Sequence, residues 1–181
     1  VVNGTAALHL ALQACGISNN MEVLVPSLTY LSSFQAILAT GASPVACDID
    51  PVTLCIDPSD AARRITSKTK AIMPVHYTGS VGNLEAVYSL AEMNNIRVVE
   101  DAAHAFGSKY RGQRVGEFGD IACFSFDGIK NITSGEGGCV VTNDDQVMRL
   151  VQDARLLGVT NDTNQRLINQ RSWQFDVHTL G

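Results

Sequence analysis

A lysine in a glycine-rich loop is the residue of this sequence best suited to covalent chemistry. Lys130 follows the largely apolar residues 121–126, comes five positions after Ser125, and precedes the glycine-rich residues 134–138. Lysine is uncommon in apolar surroundings because burial penalises its charge. An uncharged lysine amine is the nucleophile that attacks an aldehyde to form an imine. On this motif alone, an exposed loop lysine is an equally good interpretation.

Two acidic residues and a histidine follow a second apolar run. The run at 96–99 leads into Glu100 and Asp101, and His104 comes three positions later. A carboxylate at the end of a buried strand needs a cationic or hydrogen-bond-donating partner, and a protonated ring nitrogen of a ligand would serve. An aspartate that caps the next helix, beside a surface histidine, is the alternative that this motif leaves open.

The first residues of the chain are typical of a phosphate site at a helix start. Gly4 lets a ligand approach the backbone, and the N–H groups of Thr5 and Ala6 would be unpaired in the first helical turn. Such donors, together with the helix dipole, favour a bound phosphate. Taken alone, however, Thr5 is more simply interpreted as an ordinary helix N-cap.

Other polar and aromatic residues carry weaker signals. Tyr30 could lay its ring against a planar ligand, although an aromatic residue at a helix start more often packs into the core. His76 follows an apolar run and is interpreted as structural. Asp48 and Asp50 resemble part of a metal site, but no further ligand is spaced to complete it, so we predict no metal.

The order of these motifs along the chain is more specific than any one of them. A phosphate-binding helix start, a strand-end carboxylate at Asp101, and the Ser125–Lys130 pair are the parts that pyridoxal phosphate (PLP) requires. They supply phosphate contacts, a partner for the pyridine nitrogen, and an amine for the imine. A nucleotide-binding domain is not indicated, because neither G-x-G-x-x-G nor a Walker loop occurs.

The elements that must position these residues form an alternating pattern. Apolar runs of strand length alternate with amphipathic stretches of helix length, which is typical of βαβ units. We therefore predict an α/β fold, a doubly wound and mostly parallel sheet flanked by helices, with ligands beyond the carboxyl ends of the strands. Strands are predicted at 23–25, 45–49, 71–75, 96–99, 121–126 and 139–141, helices at 5–15, 30–40, 57–65, 84–93 and 144–157, a hairpin at 111–113 and a loop at 160–170.

Composition restricts the class of protein. The chain has 181 residues, of which 45% are hydrophobic and 17% charged, as expected for one folded domain. The formal net charge of -5 argues against nucleic acid as the main partner, and no apolar run approaches the roughly 18 residues of a membrane-spanning helix. Five cysteines without a paired spacing favour a reducing cytoplasm. The chain starts without methionine and stops without a closing element, so we expect a piece of a longer protein.

The sequence resembles the DegT/DnrJ/EryC1/StrS family of sugar aminotransferases, which have the aspartate aminotransferase-like fold (fold type I). The stretches that carry the resemblance run in family order through nearly the whole chain, and the last two are highly specific. They are NGTAALHLAL, VPSLTY, DIDPVTLCID, TKAIMPVHYTG, VVEDAAHAFGSKYRG and VGEFGDIACFSFDGIKNITSGEGG. The resemblance implies that residues 1–181 are the PLP-binding large domain, with an N-terminal segment and a C-terminal small domain outside this chain.

The resemblance also implies roles for individual residues. Lys130 would form the imine with PLP and then act as general base and acid, while Asp101 would keep the pyridine nitrogen protonated. The other implied cofactor contacts are Gly4, Thr5, Ala6 and Ser125 at the phosphate, Tyr30 at the ring face and His104 at the phenolic oxygen.

The activity implied by the resemblance is transfer of an amino group from glutamate to a keto group of a nucleotide-linked sugar, in polysaccharide, lipopolysaccharide or deoxyamino-sugar biosynthesis. Related dehydratases that remove a sugar hydroxyl carry histidine where this chain has Lys130, which argues against that reaction. A homodimer with shared active sites is also implied. The alternative is a non-catalytic binding or regulatory homologue of the same fold, which predicts loss of Lys130 or Asp101, and both are present.

Overall fold

The fold is a six-stranded sheet with helices on both faces, in a computed structural model that describes residues 1–159, 177 and 179. The predicted loop at 160–170 lies outside the described residues. The helices are α1 (Gly4–Ala14), α2 (Leu31–Ala39), α3 (Pro58–Arg64), α4 (Leu84–Asn94) and α5 (Asp145–Ala154), with a 3₁₀ turn at Tyr77–Gly79. The strands are β1 (Glu22–Pro26), β2 (Ser43–Cys47), β3 (Thr69–Ile72), β4 (Arg97–Asp101), β5 (Lys109–Tyr110), β6 (Gln113–Arg114), β7 (Ile121–Ser125) and β8 (Gly138–Thr142).

The strand order is β2-β1-β3-β4-β7-β8, which confirms the predicted doubly wound α/β class. All neighbours pair in parallel except β7 and β8, which are antiparallel. The carboxyl ends of the parallel strands therefore meet at one edge, where ligands of such sheets bind. Asp101 ends β4 and Ser125 ends β7, so both lie at this edge. The predicted hairpin is confirmed as the antiparallel pair β5–β6.

The sheet is buried on both faces because its central strands are apolar at successive positions. Val23 and Val25 of β1 pack into the layer that holds α1 and α5, whereas Leu24 between them packs into the layer that holds α3 and α4. Successive side chains of a strand point to opposite faces, and a continuous apolar run is what a parallel sheet covered on both sides requires. No helix within the described residues is long and apolar enough to cross a membrane.

Element ends differ from the predicted ones where side chains take over the backbone hydrogen bonds. The strand predicted at 45–49 is β2, which ends at Cys47. The next N–H group, that of Asp48, donates to the Asp60 carboxylate at 2.7 Å, and Ile49 forms an isolated bridge with Ile56. The chain therefore leaves the sheet two residues early, held by a carboxylate that α3 supplies.

A glycine beside a buried hydroxyl offers a test of packing behind the sheet. Gly119 has a φ of +86°, and a Cβ there would overlap the Tyr88 hydroxyl and lie 2.8 Å from Glu100 Oε1. That hydroxyl donates to Glu100 at 2.6 Å and accepts from the N–H of Asp120 at 2.9 Å, so it cannot move without breaking both bonds. We expect Gly119→Ala to lower the free energy of unfolding by about 3 kcal/mol in urea titration.

The matched control for this substitution is Gly112→Ala in the β5–β6 turn. Gly112 has a φ of +88°, but a Cβ there would meet nothing within 4 Å. The control carries only the backbone cost, about 1 kcal/mol. Equal losses in the two variants would show that the collision with Tyr88 contributes nothing.

Candidate active site

A cavity of about 460 Å³ opens at the carboxyl edge of the sheet. Its size is within the range of small-molecule sites in proteins. Every predicted cofactor contact except Ala6 contributes to its lining; these residues are Gly4, Thr5, Tyr30, Asp101, His104, Ser125 and Lys130. The structure thus brings together side chains from four separate sequence motifs.

Asp101 is the buried carboxylate of the cavity. Its side chain closes β4 and the residue is 5% exposed. Oδ2 accepts from the Ser33 hydroxyl at 2.7 Å, and Oδ1 accepts from the Ala103 N–H group at 3.2 Å. A carboxylate oxygen can accept more than one hydrogen bond, so the Asp101 side chain can still accept from a donor inside the cavity.

Lys130 lies in a tight loop after β7 and is half-buried. The Asp127 side chain accepts from the Ile129 N–H at 3.1 Å, and the Asp127 carbonyl accepts from the Lys130 N–H at 3.0 Å. The Asn131 amide then donates to the Phe106 carbonyl at 2.9 Å, which ties the loop to the segment after β4. Within the described part of the chain the Lys130 ammonium forms no ion pair, so its amine is available to a ligand.

The start of α1 corrects the interpretation of Thr5 as N-cap. The N-cap is Asn3, whose Oδ1 accepts from the Ala6 N–H at 2.9 Å. Ala6 therefore does not present a free donor and is absent from the cavity lining. The N–H groups of Gly4 and Thr5 lie in the first turn, where no carbonyl of the helix can accept from them.

Gly4 brings this helix start against β7. A Cβ at Gly4 would lie 2.8 Å from Ser125 Cβ and 3.2 Å from its Oγ. The Ser125 hydroxyl accepts a long bond of 3.4 Å from the Asp127 N–H and donates to no described residue. The N–H groups of the first turn and this hydroxyl form a set of donors that suits a phosphate.

His104 sits at the mouth of the cavity with a defined tautomer. Its Nδ1 accepts from the Thr78 N–H at 3.3 Å, so in the neutral ring the proton is on Nε2. Thr78 has a φ of 54°, and this left-handed conformation is part of the 3₁₀ turn that aims its N–H at the ring. Partial desolvation, and then the positive charge of Lys130, lower the pKa of His104.

The lowered pKa of His104 predicts how stability depends on pH. The unfolded chain protonates its histidines near the usual value of about 6.5, whereas native His104 stays neutral to lower pH. The unfolded state then binds more protons, so the free energy of unfolding falls as pH drops through that range. We expect a smaller fall in His104→Gln, measured by urea unfolding at two pH values on either side. Parallel losses in both proteins would contradict this role of His104.

Three buried polar residues near the cavity were not predicted as site residues: Ser33, His76 and Glu100. Ser33 of α2 contacts Asp101 as described, and its Oγ lies 2.7 Å from the Thr29 hydroxyl. His76, interpreted above as structural, is 1% exposed and its Nε2 lies 2.6 Å from Glu100 Oε2. Across the described residues no group of three or more His, Cys, Asp or Glu side chains is placed to hold a metal ion.

Solved structures place this fold among the aminotransferases. The chain matches the aminotransferase from Psychrobacter cryohalolentis with a TM-score of 0.92 and 35% identity, over 100% of this chain and 46% of that one. It also matches NtdA from Bacillus subtilis, solved with its bound cofactor PMP, with a TM-score of 0.84 and 28% identity. That match covers 96% of this chain and 38% of NtdA.

The chain belongs to the DegT/DnrJ/EryC1/StrS aminotransferase family, whose model matches residues 1–176. This confirms the family expected from the motifs. GDP-perosamine synthase of Escherichia coli O157:H7 is 56% identical to the chain over 144 residues, which are 80% of this chain and 40% of that enzyme. The chain thus spans less than half the length of the relative it matches.

Proposed function

We propose that this chain is the cofactor-binding domain of a PLP-dependent aminotransferase that moves an amino group from glutamate to a keto sugar linked to a nucleotide. The observation that carries the proposal is that the Lys130 amine, the Asp101 carboxylate and the start of α1 line one cavity. Membership of an aminotransferase family and the PMP bound to NtdA support the choice of cofactor.

The residues present fit the chemical groups of PLP one by one. The N–H groups at Gly4 and Thr5 and the Ser125 hydroxyl suit its phosphate. The Asp101 carboxylate suits a protonated ring nitrogen, and the neutral His104 ring can donate from Nε2 to the phenolic oxygen. Ala6 could add its N–H only if the Asn3 side chain released it.

When bound, PLP supplies an aldehyde that condenses with amines and a protonated ring that withdraws electrons from the substrate carbon. The chain's own residues hold and move the protons. Asp101 would accept a hydrogen bond from the ring nitrogen and would keep that nitrogen protonated. Lys130 would take up and return a proton at Nζ. The Tyr30 ring, which is exposed and lines the cavity, would hold the cofactor by its ring face and exclude water from that face.

We further propose that the sugar is carried on GDP. The relative from E. coli O157:H7 is a GDP-perosamine synthase, and its identity of 56% is high enough to favour a shared class of substrate. We also propose a homodimer in the cytoplasm. The five thiols are all free, which suits a reducing compartment.

The experiment that tests this function uses the full-length protein with PLP and labelled glutamate. GDP-, UDP- and dTDP-linked keto sugars are offered in turn, and the aminated sugar is detected by mass spectrometry. Transfer of the glutamate nitrogen to the GDP-linked sugar at the highest kcat/KM is the expected result. Transfer to the UDP- or dTDP-linked sugars alone would overturn the GDP assignment, and transfer to none of them would overturn the aminotransferase.

A further inference from the structure

We propose that Thr29 and Ser33 form a one-way chain of hydrogen bonds that fixes the Asp101 carboxylate for its cofactor contact. Ser33 would thus be a positioning residue of the reaction, acting through Asp101. This inference rests on the function proposed above. It adds the hydroxyl groups of Thr29 and Ser33, to which neither the motifs nor the family resemblance assigns a role.

The direction of the chain follows from counting hydrogen atoms. Ser33 Oγ lies 2.7 Å from Asp101 Oδ2 and 2.7 Å from Thr29 Oγ1. An ionised carboxylate only accepts, so the single hydroxyl hydrogen of Ser33 must point to Asp101. The Thr29 hydroxyl must then donate to Ser33, because Ser33 has no second hydrogen to give.

Burial makes this arrangement rigid. Ser33 is 0% exposed, so water does not compete for its bond to Asp101, and the Thr29 hydroxyl that approaches it is partly buried. The residue lies in the first turn of α2, where its N–H donates to the Tyr30 carbonyl at 3.2 Å. The helix start therefore sets the position of the hydroxyl, and a hydrogen bond to a charged group is among the stronger ones in proteins.

The consequence is that both oxygens of Asp101 are held. Oδ2 is held by Ser33 and Oδ1 by the Ala103 N–H, so the carboxylate cannot rotate about its Cβ–Cγ bond without losing a donor. Its remaining acceptor positions then keep one orientation toward the cavity. Preorganisation of this kind strengthens a contact without adding a new one.

The hydrogen bonds from Thr29 through Ser33 to Asp101 also connect two parts of the cavity lining, the segment before α2 and the end of β4. Thr29 and Tyr30 are adjacent and both line the cavity, whereas Asp101 lines it from β4. The segment that presents the Tyr30 ring is thus the segment that orients the carboxylate through Ser33. A ligand ring seated against Tyr30 would meet an acceptor already in place.

The test compares Ser33→Ala with Thr69→Ala in the full-length protein. Thr69 is 2% exposed and its hydroxyl approaches the Glu22 carboxylate, but it lies at the start of β3, away from the cavity. We expect about tenfold weaker PLP binding by Ser33→Ala in an absorbance titration. With PLP labelled with ¹⁵N, we also expect the ring-nitrogen signal to move toward that of the unprotonated ring. Thr69→Ala should match the wild type in both measurements.

A second pair of variants tests whether the effect is smaller at Thr29, which is one hydrogen bond farther from Asp101 than Ser33. Thr29→Val removes the distal donor and Thr29→Ser keeps it, so the ring-nitrogen signal should shift less in Thr29→Val than in Ser33→Ala, and not at all in Thr29→Ser. If Ser33→Ala bound PLP as tightly as the wild type and gave the same ring-nitrogen signal, the proposal would be overturned. Equal changes in Thr69→Ala would also overturn it, because the effect would then be general destabilisation.

A measurement on the apoprotein distinguishes a failure of this proposal from a failure of the proposed function. With aspartate labelled at the carboxyl carbon, the Asp101 signal is the one lost in Asp101→Asn, and it should move in Ser33→Ala but not in Thr69→Ala. Failure of the wild type to bind PLP would contradict the proposed function alone. If the Asp101 signal did not move in Ser33→Ala, the proposed Thr29–Ser33–Asp101 hydrogen bonds would be contradicted, whatever ligand the protein binds.

Discussion

Lys130→Ala is expected to abolish covalent attachment of PLP and to lower kcat by about ten-thousandfold in the full-length protein. Both effects have one cause, because the same amine would bond to the aldehyde and then carry the proton. Borohydride treatment of the wild type should reduce the imine and leave PLP fixed to the peptide that contains Lys130. Mass spectrometry of that peptide, and the absorbance band of the imine, check the prediction.

The control for this substitution is Lys109→Ala. Lys109 lines a separate surface cavity with Phe106 and Arg114 and contributes nothing to the lining of the candidate active site. The control should keep the imine band and the fixed peptide. If borohydride fixed PLP to another lysine, or if Lys130→Ala kept its band, Lys130 would not be the covalent residue.

The fold could be predicted from the sequence because burial acts on nearly every residue of the central strands β1, β4 and β7. Runs such as 23–25 and 121–124 are apolar without alternation, which only a strand covered on both faces requires. The ends of strands were less accurate, since β2 stops where the Asp60 carboxylate takes the Asp48 N–H. That bond joins residues twelve positions apart, and no local pattern reports it.

Much of the candidate site could be predicted because its parts lie where strands and helices begin or end. Asp101 and Lys130 follow apolar runs, and a glycine marks the start of α1. Ser33 was missed because it lies inside a helix, 68 positions from the carboxylate it contacts. Its position four residues after Thr29, which precedes α2, was the available signal. That signal gains meaning only once the end of β4 is known to lie against the start of α2.

Asp101→Asn is expected to lower kcat by about a hundredfold to a thousandfold, a loss typical of removing one preorganised group from an active site. The amide has nearly the same shape but no charge, so it cannot hold a proton on the ring nitrogen. If the side chain kept its place, its NH2 group would also face one of the two donors, either the Ser33 hydroxyl or the Ala103 N–H, while its oxygen accepted from the other. Single-turnover kinetics with glutamate, and the ¹⁵N signal of the PLP ring, would measure the loss.

Glu100→Gln separates the charge of Asp101 from the burial of a carboxylate in β4. Glu100 is 0% exposed, but it is held by His76 and Tyr88 and is absent from the cavity lining. Loss of the Glu100 carboxylate charge should lower the free energy of unfolding while the folded protein keeps its kcat.

Cofactor methylated at the ring nitrogen carries a permanent positive charge there, so it should restore part of the activity of Asp101→Ala. If it restored nothing, or if Glu100→Gln lost as much kcat as Asp101→Asn, the ring-nitrogen role of Asp101 would be wrong.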